Sequence, residues 1–142
     1  MLVSELMTRK VACISPDDTL SKALGTMQKH RVHQLPVVEH GHVLGMIFLK
    51  DIVFSTRELE ATKVKALMRY VSTLAPGDDL LLAARRLVGS GLRALPVEKK
   101  GKLVGIVSEL DLIRHLHAKI PISELSHAPI TIEEHASVAK AI

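Results

Sequence analysis

Gly45-Met46-Ile47-Phe48-Leu49-Lys50-Asp51 is answered sixty residues later by Gly105-Ile106-Val107-Ser108-Glu109-Leu110-Asp111, and the same offset runs through most of the chain. It carries Leu35-Pro36-Val37 onto Leu95-Pro96-Val97, Gly41 onto Gly101, Pro16 and Asp18 onto Pro76 and Asp78, and Leu20 and Ala23 onto Leu80 and Ala83. With one residue of slippage, Leu6-Met7 matches Leu67-Met68. Agreement in one register at so many positions marks an internal duplication. The first repeat spans 1–58 and the second 59–121, with 56–63 as the linker between them. Residues 122–142 start like a third, incomplete repeat: Ser123-Glu124-Leu125 echoes Ser4-Glu5-Leu6, and Val138, Ala141 and Ile142 echo Leu20, Ala23 and Leu24. Such an end marks either a fragment of a longer repeat protein or a vestige packed on the pair.

Each repeat reads as strand, helix, strand, strand, helix, an α/β plan. Residues 11–14 and 71–74 are short apolar runs stopped by Pro16 and Pro76, beside aspartates able to cap the helix that follows. Leu20, Ala23, Leu24 and Met27 fall at i, i+3, i+4 and i+7, one apolar stripe. Residues 35–38 and 43–48 form β-rich runs around Glu39-His40-Gly41-His42, a hairpin-like connection, and 49–54 closes the repeat as a short helix. The second repeat follows with 71–74, 79–88, 95–98, 103–107 and 109–117. Pro36 and Pro96 cannot donate to a ladder, so their strands belong at an edge or carry a bulge. A unit of about 60 residues is marginal alone, so the two repeats should pack face to face with approximate twofold symmetry around a central cleft.

Composition narrows the function. Among 142 residues 47% are hydrophobic, but Phe48, Phe54 and Tyr70 are the whole aromatic complement, too few for base stacking or an aromatic cage. Nineteen Lys and Arg against fifteen Asp and Glu leave +4, a mild excess that suits an anionic small molecule and falls short of a nucleic-acid coating. Arg9-Lys10, Arg85-Arg86 and Lys99-Lys100 are scattered and read as solvated surface. No apolar run approaches the ~20 residues of a membrane span, and the opening MLVSELMTRK carries charges where a signal peptide needs its apolar region. The single cysteine, Cys13, excludes an intrachain disulfide and suits a reducing compartment, so a soluble, cytoplasmic protein is expected.

In this arrangement the sequence resembles the cystathionine-β-synthase (CBS) domain family, as a tandem pair also called a Bateman module. The resemblance runs from Val3 to about Ala118 and rests on the order and repetition of its parts rather than on one short motif. It implies an α/β fold of two β-α-β-β-α CBS motifs packed with pseudo-twofold symmetry, whose sheets associate to form two related clefts. It also implies a regulatory, energy-sensing role: clefts that take AMP, ADP, ATP or S-adenosylmethionine as a regulatory ligand, no resident cofactor, and dimers of pairs.

The family's nucleotide motif, Gly, two apolar residues, Ser or Thr, two variable residues, then Asp, is matched from Gly105 through Ile106 and Ser108 to Asp111. A hydroxyl where a strand meets a helix amino terminus can join backbone N–H groups around a phosphate. Asp111, accepting only, suits a ribose diol. For either residue alone, capping the helix is the commoner role. Arg93 stands where relatives direct a basic side chain toward phosphate, with a plain surface arginine as the alternative. The adenine is expected against Thr8, Val11, Ala12 and Val32, of which the last three could equally be core and Thr8 a turn residue. The first repeat departs from the motif, with Phe48 in place of Ser108 and His33 in place of Arg93. Asp51 remains, so a weaker second site around His33, Asp51 and Val71 is expected to bind poorly or to be filled by Phe48.

Competing chemistries have less support. His30-x-x-His33 could set two imidazoles on one helix face, but no cysteine or acidic cluster completes a metal site; His115 and His117 point apart, and His40 and His42 flank a hairpin glycine. Cys13 reads as a buried structural thiol, and no serine elbow or P-loop appears, so no enzymatic activity is expected. The rival to nucleotide sensing is a ligand-free module for dimerisation or partner docking. Apolar positions Leu112, Ile113 and Leu116 suit a homodimer, or alternatively the internal interface. The sequence does not choose among the adenosine ligands or name a regulated partner.

Overall fold

The computed structural model describes residues 1–119, so the third, incomplete repeat expected over 122–142 lies outside the described residues. The chain forms α1 (Val3–Leu6), α2 (Leu20–His30), β1 (Gln34–Glu39), β2 (His42–Phe48), α3 (Leu49–Val53), α4 (Leu80–Ser90), β3 (Ala94–Lys99), β4 (Lys102–Ser108) and α5 (Glu109–Lys119), with a 3-10 turn at Val64–Ala66. The architecture is mixed α/β, and the strands make one antiparallel sheet in the order β1-β2-β4-β3. Exchanging the repeats maps that order onto itself, as pseudo-twofold symmetry requires. The hairpin turns carry positive φ at both central residues, 52° and 82° at His40 and Gly41 and 54° and 81° at Lys100 and Gly101. That is the type I′ geometry whose twist matches paired strands.

Both prolines sit as expected. β1 and β3 are the edge strands, and each ladder shifts register just after its proline, at Val37/Val38 and Val97/Glu98. The runs 11–14 and 71–74, in contrast, do not become strands: only Ile14 and Leu74 pair, through parallel bridges to Val37 and Val97. Ile14 donates to Pro36 O and accepts from Val38 N, and Leu74 does the same with Pro96 and Glu98. Extending the ladder one step upstream would need a donor at the proline nitrogen, which has none. The pairing therefore stops, and Cys13, expected to be buried in a strand, is exposed.

Helix entry is handled alike in the two repeats. Thr19 caps α2 and Asp79 caps α4, accepting from Lys22 N at 3.1 Å and Leu82 N at 2.7 Å, while Asp18 and Asp78 close the turns before them with Ser15 N and Ala75 N. The linker finishes the cap of α2, because Thr62 O and Leu59 O accept from the otherwise orphaned Leu20 and Ser21 N–H groups.

The stripe on α2 is buried as its spacing predicts, with Leu20 and Ala23 at 0% exposure. It packs on Leu35, Val37 and Ile47 from one face of the β1–β2 hairpin, and the second repeat builds an equivalent cluster around Ala83, Leu87, Leu95, Val97, Val107 and Leu112. Each cluster is completed from the other half of the chain. Val3 and Met7 enter the second repeat's core, and Val64 enters the first. Backbone bonds fix the exchange: Val3 N to Asp78 O (2.7 Å) and Ser4 N to Pro76 O (3.0 Å) on one side, Val64 N to Asp18 O (2.8 Å) and Lys65 N to Pro16 O (3.0 Å) on the other. The opposite faces of the hairpins meet between the repeats. Met46 and Phe48 are buried there, outside both clusters, and Gln34 Nε2 crosses to Ala94 O at 3.1 Å.

Candidate functional site

Two hollows open where those inner faces meet. The first, of about 310 Å³, is lined by Thr8, Val11, Ala12 and Val32 together with Ile106, Ser108 and Asp111. It sits at the lower end of the ~300–1,000 Å³ range of small-molecule sites. Residues almost a hundred positions apart meet there because Thr8 and Ile106 bridge, each donating to the other's carbonyl at 2.9 Å. Gly105 makes this approach feasible, since a Cβ there would lie 3.0 Å from Thr8 O and 2.6 Å from Met7 Sδ.

Ser108 ends β4, and α5 begins at the next residue. Asp111 Oδ2 accepts from both Ser108 N (2.9 Å) and Ser108 Oγ (3.0 Å), while Ser108 Oγ accepts from Asp111 N at 3.2 Å. This is a reciprocal cap, so the capping alternative is realised in the structure. The hydroxyl spends its donor on the carboxylate and holds it in place. Asp111 Oδ1 has no hydrogen bond among the described residues, and neither has the backbone N–H or C=O of Ala12, left over where Pro36 halted the ladder.

Arg93 does not join this group. It lines the second hollow, of about 370 Å³, with His33, Gln34, Phe48, Arg69 and Leu92. The cationic side chain of the first hollow is instead Lys10, with His30 and Gln34 as further polar groups. Sequence reading missed them: Lys10 looked like solvated surface and His30 entered only as half of a metal pair. His30 and His33 in fact line different hollows, and among the described residues no group of three His, Cys, Asp or Glu side chains could hold a metal.

The second hollow is built differently. Arg69 bridges Met46, with both backbone bonds at 2.8 Å, just as Thr8 bridges Ile106. Its guanidinium pairs with Asp51 Oδ1 at 2.5 Å and lies over the Phe48 ring, 5.7 Å from the centroid. Asp51 Oδ2 is buried and has no hydrogen-bond partner among the described residues. Phe48, 5% exposed, stands at the position that Ser108 takes in the other half. Of the residues assigned from the sequence to this second site, His33 lines the hollow, whereas Asp51 and Val71 line neither hollow; Asp51 borders an adjoining opening that it shares with Arg69. Leu112 is buried in the second core and leaves the exposed apolar face to Ile113 and Leu116.

Two crossed α/β repeats with ligand-sized hollows between them define a tandem repeat module. The CBS domain profile matches residues 3–57 and 64–118, and the chain belongs to the CBS domain family. It is 32% identical over 114 residues to the CBS domain-containing protein YhcV of Bacillus subtilis, covering 78% of this chain and 81% of that one. The Methanocaldococcus jannaschii protein MJ0188 is 30% identical over 113 residues, 79% of this chain and 43% of its own length. The chain thus spans less than half of that longer relative. Among solved structures, Hypoxic Response Protein I with two coordinated zinc ions superposes with a TM-score of 0.76 at 24% identity, over 85% of this chain and 100% of that one. The CBS domain of the bacterial CNNM/CorC family Mg2+ transporter in complex with ATP gives 0.72 at 21% identity, over 80% and 86%. These two likenesses establish the shared fold.

Proposed function

We propose that the module is a regulatory sensor of an adenosine ligand, AMP, ADP, ATP or S-adenosylmethionine, held in the first hollow and touching both repeats. The observation that carries this reading is the convergence of Thr8, Val11, Ala12 and Val32 on Ile106, Ser108 and Asp111 around one ligand-sized space. Asp111 Oδ1 would accept from a ribose hydroxyl, while Ser108 fixes the carboxylate. The free backbone groups of Ala12 suit the donor and acceptor edge of adenine. Lys10 and the amino terminus of α5 supply the positive potential a phosphate needs, with His30 as a further hydrogen-bonding group; Arg93 lines the other hollow. The ATP complex of the transporter CBS domain, which shares this fold, lends the reading support.

A ligand spanning the repeats would restrain their relative orientation, and it shifts that balance only by its difference in affinity between the states. The proposed role is non-enzymatic and cytoplasmic, and the working form is a homodimer that reports to a regulated partner. The test is thermal unfolding with each of the four ligands. At 100 times its dissociation constant the true ligand adds about 2.7 kcal/mol of stability. Asp111→Ala should abolish that increment and Asp51→Ala should leave it intact. Equal losses from both would refute a single site, and no increment with any ligand would favour the docking module.

A further inference from the structure

The duplication makes Thr8 and Arg69 structural counterparts, since they bridge Ile106 and Met46, which lie sixty residues apart. At the first hollow the bridging residue is short, and the carboxylate of Asp111 is held by its own helix cap with one oxygen left over. At the second the bridging residue is a cation that reaches Asp51, the counterpart of Asp111, and covers Phe48, the counterpart of Ser108. The Arg69 backbone is pinned by two 2.8 Å bonds, so its side chain is delivered to this place by the fold rather than by chance contact.

We propose that Arg69 shuts the second hollow off from Asp51: its guanidinium lines both that hollow and the adjoining opening where Asp51 stands, takes the carboxylate that would otherwise receive a ribose, and limits the chain to one nucleoside ligand. The inference rests on the nucleoside reading of the first hollow. Arg69 is the specificity-determining residue because its contact is the reversible one. The hollow beside it keeps about 370 Å³ even with Phe48 in place, and the Arg69 side chain, 53% exposed, can be replaced without opening a core.

The experiment is calorimetric titration of wild type, Arg69→Thr and Arg69→Gln with AMP, ATP and S-adenosylmethionine in turn, the fold of each variant being checked by circular dichroism. Wild type should bind one ligand per chain, and both variants should bind two, the added event being the weaker because Phe48 offers no hydroxyl. Arg69→Thr/Asp51→Ala should return to one, which a merely structural effect of Arg69 would not produce. Two ligands bound by wild type, or one by folded variants, overturns the role of Arg69 and leaves the first-hollow reading standing. Zero throughout overturns both.

Discussion

Thr8 and Ile106 exchange both of their backbone hydrogen bonds at 2.9 Å, and through them the first residues of the chain become a stave in the core of its second half. Met7, beside Thr8, belongs to the same core cluster as Leu74, Leu87 and Val107. Met7→Ala should therefore destabilise by about 2–5 kcal/mol. Denaturant unfolding at unchanged slope would show this as a lowered midpoint. An unchanged midpoint would mean the amino-terminal segment does not carry core energy.

The two approach glycines should respond unequally. A Cβ at Gly45 would collide with the backbone carbonyl of Arg69, whereas at Gly105 its nearest neighbour is the flexible end of Met7, with Thr8 O at 3.0 Å. Overpacking costs roughly 1–3 kcal/mol, and a backbone obstacle yields less than a side chain. Gly45→Ala should lower the melting temperature more than Gly105→Ala, and Gly105→Ala should weaken ligand binding more, because it pushes on Thr8.

Asp17 provides a pH test at the seam between linker and first repeat. A hydrogen bond from Lys65, then the charges of Lys65 and Lys63, hold its carboxyl below the ordinary value of 3.8. A depressed folded-state value means the contribution is present above the unfolded value and is lost as pH falls through the lower, folded one. An NMR titration should place the Asp17 midpoint below 3.8. Lys65→Met or high salt should move it upward. Both side chains are exposed, so global stability should change little.

The exposed apolar side chains of α3 and α5 offer a test of assembly. Phe54, just past α3, is 85% exposed, Val53 62%, Ile113 49% and Leu116 41%. Light scattering should give twice the chain mass of 15.5 kDa, and Ile113→Glu should halve it. A wild-type monomer would remove the homodimer from the proposed function.

The fold was legible because duplication writes the same instructions twice: the stripe on α2, the I′ turns and the edge prolines could each be checked against a second occurrence. Ser108 and Asp111 were legible for the same reason, as a local pattern in which every residue is close in sequence. Lys10, His30 and Arg69 were not. They reach the hollows through the crossing of segments, a long-range event with no local signature, and Arg69 stands one residue out of the main register. The extra strands failed for a chemical reason visible in the sequence yet easily overlooked: the proline that marks an edge also refuses the next rung.

The crossed segments have a consequence for anyone who bisects the gene. A cut in 56–63 yields pieces that each carry the other's stave, Val3 and Met7 leaving with one piece and Val64 with the other. Neither piece alone is a whole folding unit. Mixed together they should complement each other, while a single piece expressed by itself should recruit the missing stave from a sister molecule and form intertwined multimers.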